Sequence, residues 1–255
     1  IDECHHMKAN SYRGILDFFR PQILLGLTAT PERMDGGDIQ EDFYNRIAAE
    51  IRLPEALNRK LLCPFQYFGI TDSIDLSNIG WVKGRYIPSE LSSLYIASNT
   101  RVGEIIDSLK RYTKDLNDVR AIGFCVTIEH AKYMSEQFCL AGLKADYLTS
   151  ANNQNRAKVR NELQSKKINY LFVVDIFNEG VDIPEIDTVL FLRPTESLTI
   201  FLQQLGRGLR LAENKDCLTV LDFVGNSRPE YNFENKFRAL ISVSYTHLRA
   251  HETTS

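Results

Sequence analysis

Apolar residues after position 100 follow two alternating patterns, and together these patterns predict an α/β domain. Short continuous apolar runs are typical of strands that are buried on both faces of a sheet. Between these runs, apolar residues recur every three or four positions, as they do in helices that cover a sheet. The alternation predicts a parallel sheet flanked by helices. The predicted strands are 121–126, 145–148, 170–174, 188–192 and 217–224, and the predicted helices are 101–112, 127–141, 156–164 and one around 198–205.

The first hundred residues show the same rhythm less regularly. Residues 11–19 have a helical pattern, and the apolar run 23–27 predicts a strand buried on both faces. A strand at 48–53 and a short helix at 54–58 are predicted to close this first part. The stretch that begins at residue 65 is less periodic and rich in Asp, Ser and Gly, which indicates a connector.

Composition indicates a globular protein with no overall attraction to nucleic acid. The chain has 255 residues, of which 44% are hydrophobic, and this is ample for a packed core. Its net charge is −3 and its pI is near 6.0, so a nucleic-acid partner would need a local groove. The five cysteines lack paired spacing and are predicted to be buried free thiols. No apolar run has the length of a membrane span, and a cytoplasmic location is expected.

The two ends of the sequence predict that the chain is a fragment. It begins at Ile1 without a methionine, at the predicted end of a strand whose beginning is expected upstream. Residues 243–253 are similar to the translation of a transposase adapter used in sequencing libraries, so 243–255 are interpreted as a non-native tail. His247 and His251 are therefore not expected to be metal ligands.

Two groups of polar residues follow predicted strands in the first part. Asp2 and Glu3 come directly after an apolar position, and Thr28 and Thr30 follow the run 23–27. Neighbouring parallel strands present their carboxyl ends at one edge, so these side chains are expected to lie close together. An aspartate there can hold magnesium through water, and a glutamate can activate an attacking water. The alternatives are a helix cap for the acidic pair and a hydroxyl-rich turn for the threonines.

Residues 203–210, with the sequence QQLGRGLR, carry two arginines three positions apart. On a helix this spacing would place Arg207 and Arg210 on neighbouring parts of one face, where both could point at one anion. Guanidinium groups stay charged and match the geometry of phosphate oxygens. Gly206 and Gly208 would let another backbone or a ligand come close. The alternative is an exposed basic helix end that the helix dipole favours.

The segment 178–184, with the sequence NEGVDIP, follows the most strongly apolar predicted strand. Gly180 permits close approach of the backbone, and Asp182 could accept a hydrogen bond from a ribose hydroxyl or an arginine. A surface turn is the alternative. A metal site at Cys4, His5 and His6 is less favoured, because no second ligand pair has suitable spacing.

Four stretches stand in a fixed order: DECH at 2–5, TAT at 28–30, GVDIP at 180–184 and QQLGRGLR at 203–210. Together they resemble motifs II, III, V and VI of superfamily 2 helicases, with GFCV at 123–126 in the place of motif IV. LTATPERMD at 27–35 and LRPTES at 192–197 look like bacterial DEAD/DEAH-box helicases of the restriction-type branch. The resemblance implies RecA-like parallel sheets: a partial first domain at 1–64, a connector at 65–99 and a complete helicase C-terminal domain at 100–242.

The resemblance also implies ATP and Mg²⁺ as cofactors, with ATP bound in the cleft between two RecA-like domains. In the first domain, Asp2 would hold magnesium and Glu3 would activate the water. His5, Thr28 and Thr30 would couple the nucleotide state to domain closure.

In the second domain, the resemblance implies that Gly180 and Asp182 approach the ribose and the γ-phosphate side. Gln203 and Arg207 would contact the γ-phosphate region, and Arg210 would act as an arginine finger. Arginine donors of this kind accelerate phosphoryl transfer by positioning and electrostatics.

This sequence departs from the helicase pattern at two points. The glycine-rich phosphate loop with its lysine is absent, so this polypeptide alone is expected to hydrolyse ATP negligibly. Val174 stands where motif V often has a threonine that touches the nucleic-acid backbone, so the resemblance does not imply a backbone contact at this position.

The leading interpretation is an ATP-dependent helicase or translocase that acts on DNA rather than RNA. A duplex-tracking motor of a restriction or nuclease system, which separates no strands, is the first alternative. Members of this branch often carry a nuclease module before the helicase core, so the flanking sequence could supply one. A non-catalytic nucleic-acid-binding scaffold is disfavoured, because Asp2, Glu3, Arg207 and Arg210 are all present.

Overall fold

The computed structural model describes residues 1–4, 10–19, 21–28, 40–149, 156–174, 183–195 and 197–226. The chain divides into two compact units, Ile1–Arg52 and Leu53–Ser255. Within the described ranges, no helix combines the length and the apolar character that a membrane span requires.

The first unit is small and is built around the buried side chain of Cys4. Helix α1 (Asn10–Phe19) and a 3-10 helix (Gln40–Phe43) contribute Leu16 and Phe43 to this cluster. Gly26 permits the close packing, because a Cβ atom there would lie 2.9 Å from the sulfur of Cys4. The cluster therefore covers one side of the segment 23–27.

Two predictions for the first unit are wrong. Segment 23–27 was expected to be a strand buried on both faces, yet it forms no regular strand, Ile23 is 87% exposed, and Leu25 and Leu27 are more than half exposed. The apolar run continues on a side that no described element of this unit covers. Residues 48–52 form no strand, and Leu53 begins a helix instead.

The second unit contains a six-stranded sheet whose paired strands are all parallel, in the order β1-β8-β7-β4-β6-β5. A separate antiparallel hairpin pairs β2 with β3. The strands are β1 (Phe65–Asp75), β2 (Trp81–Val82), β3 (Arg85–Tyr86), β4 (Ala121–Phe124), β5 (Ala145–Leu148), β6 (Tyr170–Val173), β7 (Thr188–Phe191) and β8 (Leu218–Asn226). The helices are α2 (Leu53–Asn58), α3 (Pro88–Ile96), α4 (Asn99–Tyr112), α5 (Ile128–Leu140), α6 (Arg156–Gln164) and α7 (Leu198–Gly208).

Helices cover both faces of this sheet, which explains the continuous apolar runs in its strands. Successive residues of a strand point to opposite faces. Ile122 and Phe124 of β4 pack in the core that α6 and α7 complete, and Ala121 packs in the core that α4 and α5 complete. β4, β6 and β7 are buried at every position. The predicted α/β class with a RecA-like parallel sheet is confirmed.

The segment 65–99, predicted as a connector, supplies regular structure to the second unit. β1 lies at the edge of the sheet and pairs with β8, with Phe65 opposite Leu218. Its strand pattern is weak because burial along most of this edge strand is only partial, and β1 also contains glycine, serine and two aspartates. The domain limits at residues 64, 99 and 242 remain predictions.

Candidate functional site

The acidic pair of the first unit lies beside the segment that carries Thr28. The backbone nitrogen of Leu27 donates to the oxygen of Ile1 at 2.9 Å, and the nitrogen of Cys4 donates to the oxygen of Leu27 at 3.0 Å. These bonds fix Asp2 and Glu3 next to residues 27–28. The expected proximity of the two segments is therefore present in the backbone, although neither segment forms a regular strand.

Glu3 adopts an unusual backbone conformation at this point. Its φ angle is +49°, in the left-handed region that non-glycine residues seldom occupy. Its backbone N–H donates to Oδ1 of Asp2 at 3.0 Å. Such a conformation costs about 1 to 3 kcal/mol, so the contacts around this turn must hold it in place.

The donor set at this edge fits a magnesium ion held through few protein ligands. Mg²⁺ prefers oxygen donors and commonly binds one or two carboxylates together with water and substrate phosphates. Asp2 is exposed and Glu3 is half-buried, so a carboxylate is accessible to a hydrated ion. Among the residues that the structure describes, no group of three or more His, Cys, Asp or Glu side chains could form a protein-only metal cage.

Helix α7 carries the candidate phosphate-binding residues of the second unit. Ser197 caps its first turn by accepting a hydrogen bond from the nitrogen of Ile200. Gln203 and Arg207 are half-buried on this helix. The helix ends at Gly208, so Arg210 lies beyond it and is exposed. The prediction that one helix carries both arginines is wrong, because α7 ends at Gly208 and Leu209 is its C-cap.

Gly208 allows the end of α7 to pack directly against the sheet. A Cβ atom at this position would lie 2.7 Å from a methyl carbon of Leu218 and 3.0 Å from one of Val189. A Cβ atom at Gly206, two residues earlier, would meet no described atom beyond its own helix within 4 Å. The close approach predicted for these glycines is therefore made at Gly208, toward strands of the protein's own sheet.

We expect Gly208→Ala to lower the free energy of unfolding by about 1 to 2 kcal/mol. Overpacking a buried site lowers the free energy of unfolding by about 1 to 3 kcal/mol. The higher helix propensity of alanine offsets up to about 1 kcal/mol of this loss. Urea unfolding followed by circular dichroism measures this difference. Gly206→Ala is the matched control and is expected to stabilise the helix. Equal effects of the two substitutions would contradict the packing argument.

Lys215 is a positioning residue that the sequence patterns did not reveal. Its ammonium group donates to the backbone oxygens of Pro184 at 3.0 Å, Gly208 at 2.6 Å and Arg210 at 2.9 Å. Burial lowers the pKa of Lys215, and nearby acidic groups oppose this effect. A cation at a helix C-terminus satisfies carbonyls that lack helical partners. Lys215 thus holds the backbone on both sides of the turn that presents Arg210.

A buried ion pair, also absent from the sequence predictions, fixes the chain just before the segment 193–197. Arg101 is 1% exposed and Asp72 is 4% exposed. Nε of Arg101 donates to the Asp72 carboxylate at 2.9 Å, and Nη2 donates to the oxygen of Leu192 at 3.0 Å. The guanidinium group also lies 3.8 Å from the centre of the Tyr95 ring. The pair therefore joins β1 and α4 to the end of β7.

Four of the candidate residues, His5, Thr30, Gly180 and Asp182, lie outside the described residues. Val174, which replaces a threonine expected in motif V, packs against the core beneath α4 and α5. All five cysteines are free thiols, but only Cys4, Cys63 and Cys125 are buried, because Cys139 is exposed and Cys217 is half-buried. The prediction that all five are buried is wrong.

Comparisons with known proteins agree with this architecture. Residues 104–212 match the helicase conserved C-terminal domain family, and residues 1–33 match the family described as type III restriction enzyme, res subunit. The second unit thus contains a helicase C-terminal domain. The resemblance to superfamily 2 helicases of the restriction-type branch is confirmed.

Individual relatives extend the similarity over most of the chain. A Saccharomyces cerevisiae protein, named as the ATP-dependent helicase IRC3, is 32% identical over 236 residues, which cover 89% of this chain and 34% of that protein. A fragment assigned as the HsdR subunit of a type I restriction enzyme from Vibrio vulnificus YJ016 has a TM-score of 0.66 at 23% identity, covering 88% of this chain and 45% of that chain.

A second solved structure has the same fold over nearly the whole chain. The ATP-dependent Type ISP restriction-modification enzyme LlaBIII bound to DNA has a TM-score of 0.56 at 19% identity, covering 95% of this chain and 20% of that chain. The chain spans 34% to 48% of the length of the first curated relatives that it matches.

Proposed function

We propose that the protein containing this chain is an ATP-dependent motor that moves along DNA. The observation that carries the proposal is the placement of Asp2 and Glu3 beside the Thr28 segment, within the residues that match the type III restriction enzyme res-subunit family. ATP and Mg²⁺ are the proposed cofactors, with Asp2 as the magnesium residue and Glu3 as the residue that activates water. His5, Thr28 and Thr30 couple the nucleotide state to movement.

The second unit supplies the complementary chemistry for phosphoryl transfer. Gln203 and Arg207 contact the γ-phosphate region, and Arg210 is the arginine finger. Gly180 and Asp182 are the proposed nucleotide-binding residues. The support for these roles is the match to the helicase C-terminal family, together with the Lys215 contacts that hold the backbone around Arg210.

DNA is the proposed track, and the protein is proposed to act in a restriction or nuclease system. The name of one structural neighbour describes a restriction-modification enzyme bound to DNA. The family that matches residues 1–33 is described as the res subunit of a type III restriction enzyme. A nuclease module in the flanking sequence and a cytoplasmic location stay predictions. Because restriction-type relatives are prominent, a duplex-tracking motor without strand separation is the second candidate function.

ATP hydrolysis by the parent protein, extended upstream to include its phosphate loop, tests the proposal. We expect hydrolysis to be stimulated by DNA and not by RNA of the same length. Strand-displacement and triplex-displacement assays then separate a helicase from a duplex-tracking motor, because only a helicase releases a paired strand. The 255-residue chain alone is expected to hydrolyse ATP negligibly. No hydrolysis by the parent with any polymer would favour the scaffold interpretation.

A further inference from the structure

A cleft of about 150 Å³ lies in the second unit, next to the β2–β3 hairpin. Its lining includes Arg85 and Tyr86 of the hairpin and the start of α3. Arg193, Thr195 and the start of α7 also line it. None of the residues assigned above to magnesium, nucleotide or phosphate lines this cleft, so it is distinct from the proposed phosphoryl-transfer residues.

The chemistry of the walls favours a phosphate group. The described lining contains the basic residues Arg85 and Arg193 and the hydroxyl residues Thr195 and Ser197, beside apolar residues such as Leu91 and Ile200, and it contains no acidic residue. The N-terminal ends of α3 and α7 also border the cleft, and helix N-termini present N–H groups and partial positive charge to anions. Arg85 is exposed, and within the described part of the chain its side chain makes no hydrogen bond or ion pair.

The walls are fixed by contacts behind them. The hairpin turns at Lys83 and Gly84, whose φ angles of +51° and +78° are typical of a tight two-residue turn. The Arg101 bond to the oxygen of Leu192 holds the chain immediately before Arg193. Val126 also lines the cleft, and its backbone nitrogen donates to Nδ1 of the buried His130 at 3.3 Å. The cleft is therefore organised before any ligand enters.

Size decides between a phosphate group and a larger ligand. Small-molecule sites commonly enclose about 300 to 1,000 Å³, so this cleft is too small for a complete nucleotide. A phosphate within a polymer can enter while the rest of the chain extends outside. Exposed Val82 and Lys83 at the hairpin tip adjoin Arg85 and would meet that emerging polymer.

We propose that this cleft binds a phosphodiester of the nucleic-acid backbone. The proposal rests on the proposed function, because it assigns a contact point to the polymer along which the motor moves. The overall charge of −3 gives the chain no general affinity for nucleic acid, so binding has to come from such a local basic site.

The test measures binding of a fluorescent DNA of about 20 nucleotides to the 255-residue chain by anisotropy, without ATP, over a range of salt concentrations. Arg85→Ser is expected to weaken binding about five- to tenfold at about 0.1 M salt and to reduce the salt slope by about 0.7 to 0.9. Arg111→Ser, which removes an exposed arginine of α4 outside the cleft, is the matched control and should leave both quantities unchanged. Arg85→Lys should retain most of the binding.

Several outcomes would overturn this assignment. They are absence of DNA binding by the wild-type chain, equal losses of DNA affinity in Arg85→Ser and Arg111→Ser, or an unchanged salt slope of DNA binding in Arg85→Ser.

A second experiment measures thermal unfolding of the chain in the presence of inorganic phosphate. If Arg85→Ser removes stabilisation by phosphate but leaves DNA binding intact, the cleft is a free-phosphate site and the proposal fails. Because these assays contain no ATP, they remain interpretable even if the parent protein proves not to be a motor.

Discussion

Arg101→Met is expected to lower the free energy of unfolding by about 3 to 5 kcal/mol, a large part of the stability of a typical domain. The substitution removes one partner of a buried ion pair and leaves the Asp72 carboxylate without the cation that contacts it. It also leaves the oxygen of Leu192 without this donor at the end of β7. Urea unfolding of the chain, followed by circular dichroism, measures the loss.

Two further variants distinguish the loss of the buried ion pair from a general effect of replacing an arginine on the free energy of unfolding. Arg59→Met removes an exposed arginine that pairs with Glu55 on α2, and a change within about 0.5 kcal/mol is expected. The double variant Arg101→Met with Asp72→Leu should recover part of the lost stability, because no uncompensated charge remains buried at this pair. A loss below about 1 kcal/mol in Arg101→Met would show that the pair is not important for stability.

Much of the second unit was predictable because its sheet is covered on both faces. β6 is apolar throughout and buried throughout, so its sequence alone indicated a central strand. The bounds of β5 and α6 were predicted correctly, since polar residues flank both segments in the sequence. The helix predicted from residue 127 is also present, and Thr127 is its N-cap, whose hydroxyl accepts a hydrogen bond from the nitrogen of His130 at 3.2 Å.

Other features could not be read from local patterns because they depend on distant partners. β1 has a mixed exposure pattern and becomes a strand by pairing with β8, about 150 residues later in the chain. The burial of Arg101 likewise depends on Asp72 and on Leu192, which lies 91 residues away. An arginine in the first turn of a helix gives no local sign that it will be buried.

In the candidate site, too, features that depend on local sequence were predictable, and features that depend on distant contacts were not. The acidic pair and Thr28 were placed together by a rule about parallel strand ends, which needs no knowledge of side-chain packing. The prediction that Arg207 and Arg210 lie on one helix was wrong because α7 ends at Gly208. Gly208 packs closely against Leu218, and Leu209 is the C-cap of the helix. Lys215 was missed because its carbonyl partners become neighbours only in the folded chain.

Arg210→Ala is expected to reduce the rate constant for DNA-stimulated ATP hydrolysis by the parent protein about 10³- to 10⁵-fold, which is the usual contribution of an arginine finger. A guanidinium group stabilises the charge that develops on the transferred phosphoryl group more than it stabilises bound ATP. The KM for ATP should therefore change much less than kcat. Steady-state hydrolysis at saturating DNA, with ATP varied, measures both constants.

The position of Arg210 makes this experiment specific for its side chain. The contact with Lys215 uses the backbone oxygen of Arg210, which alanine retains, and the side chain is exposed beyond the end of α7. The contact with Lys215 is therefore expected to survive the substitution. Arg210→Lys should restore little activity, since an ammonium group lacks the planar fork of donors. Arg59→Ala serves as the exposed-arginine control, and a loss below about tenfold in Arg210→Ala alone would exclude Arg210 as the finger.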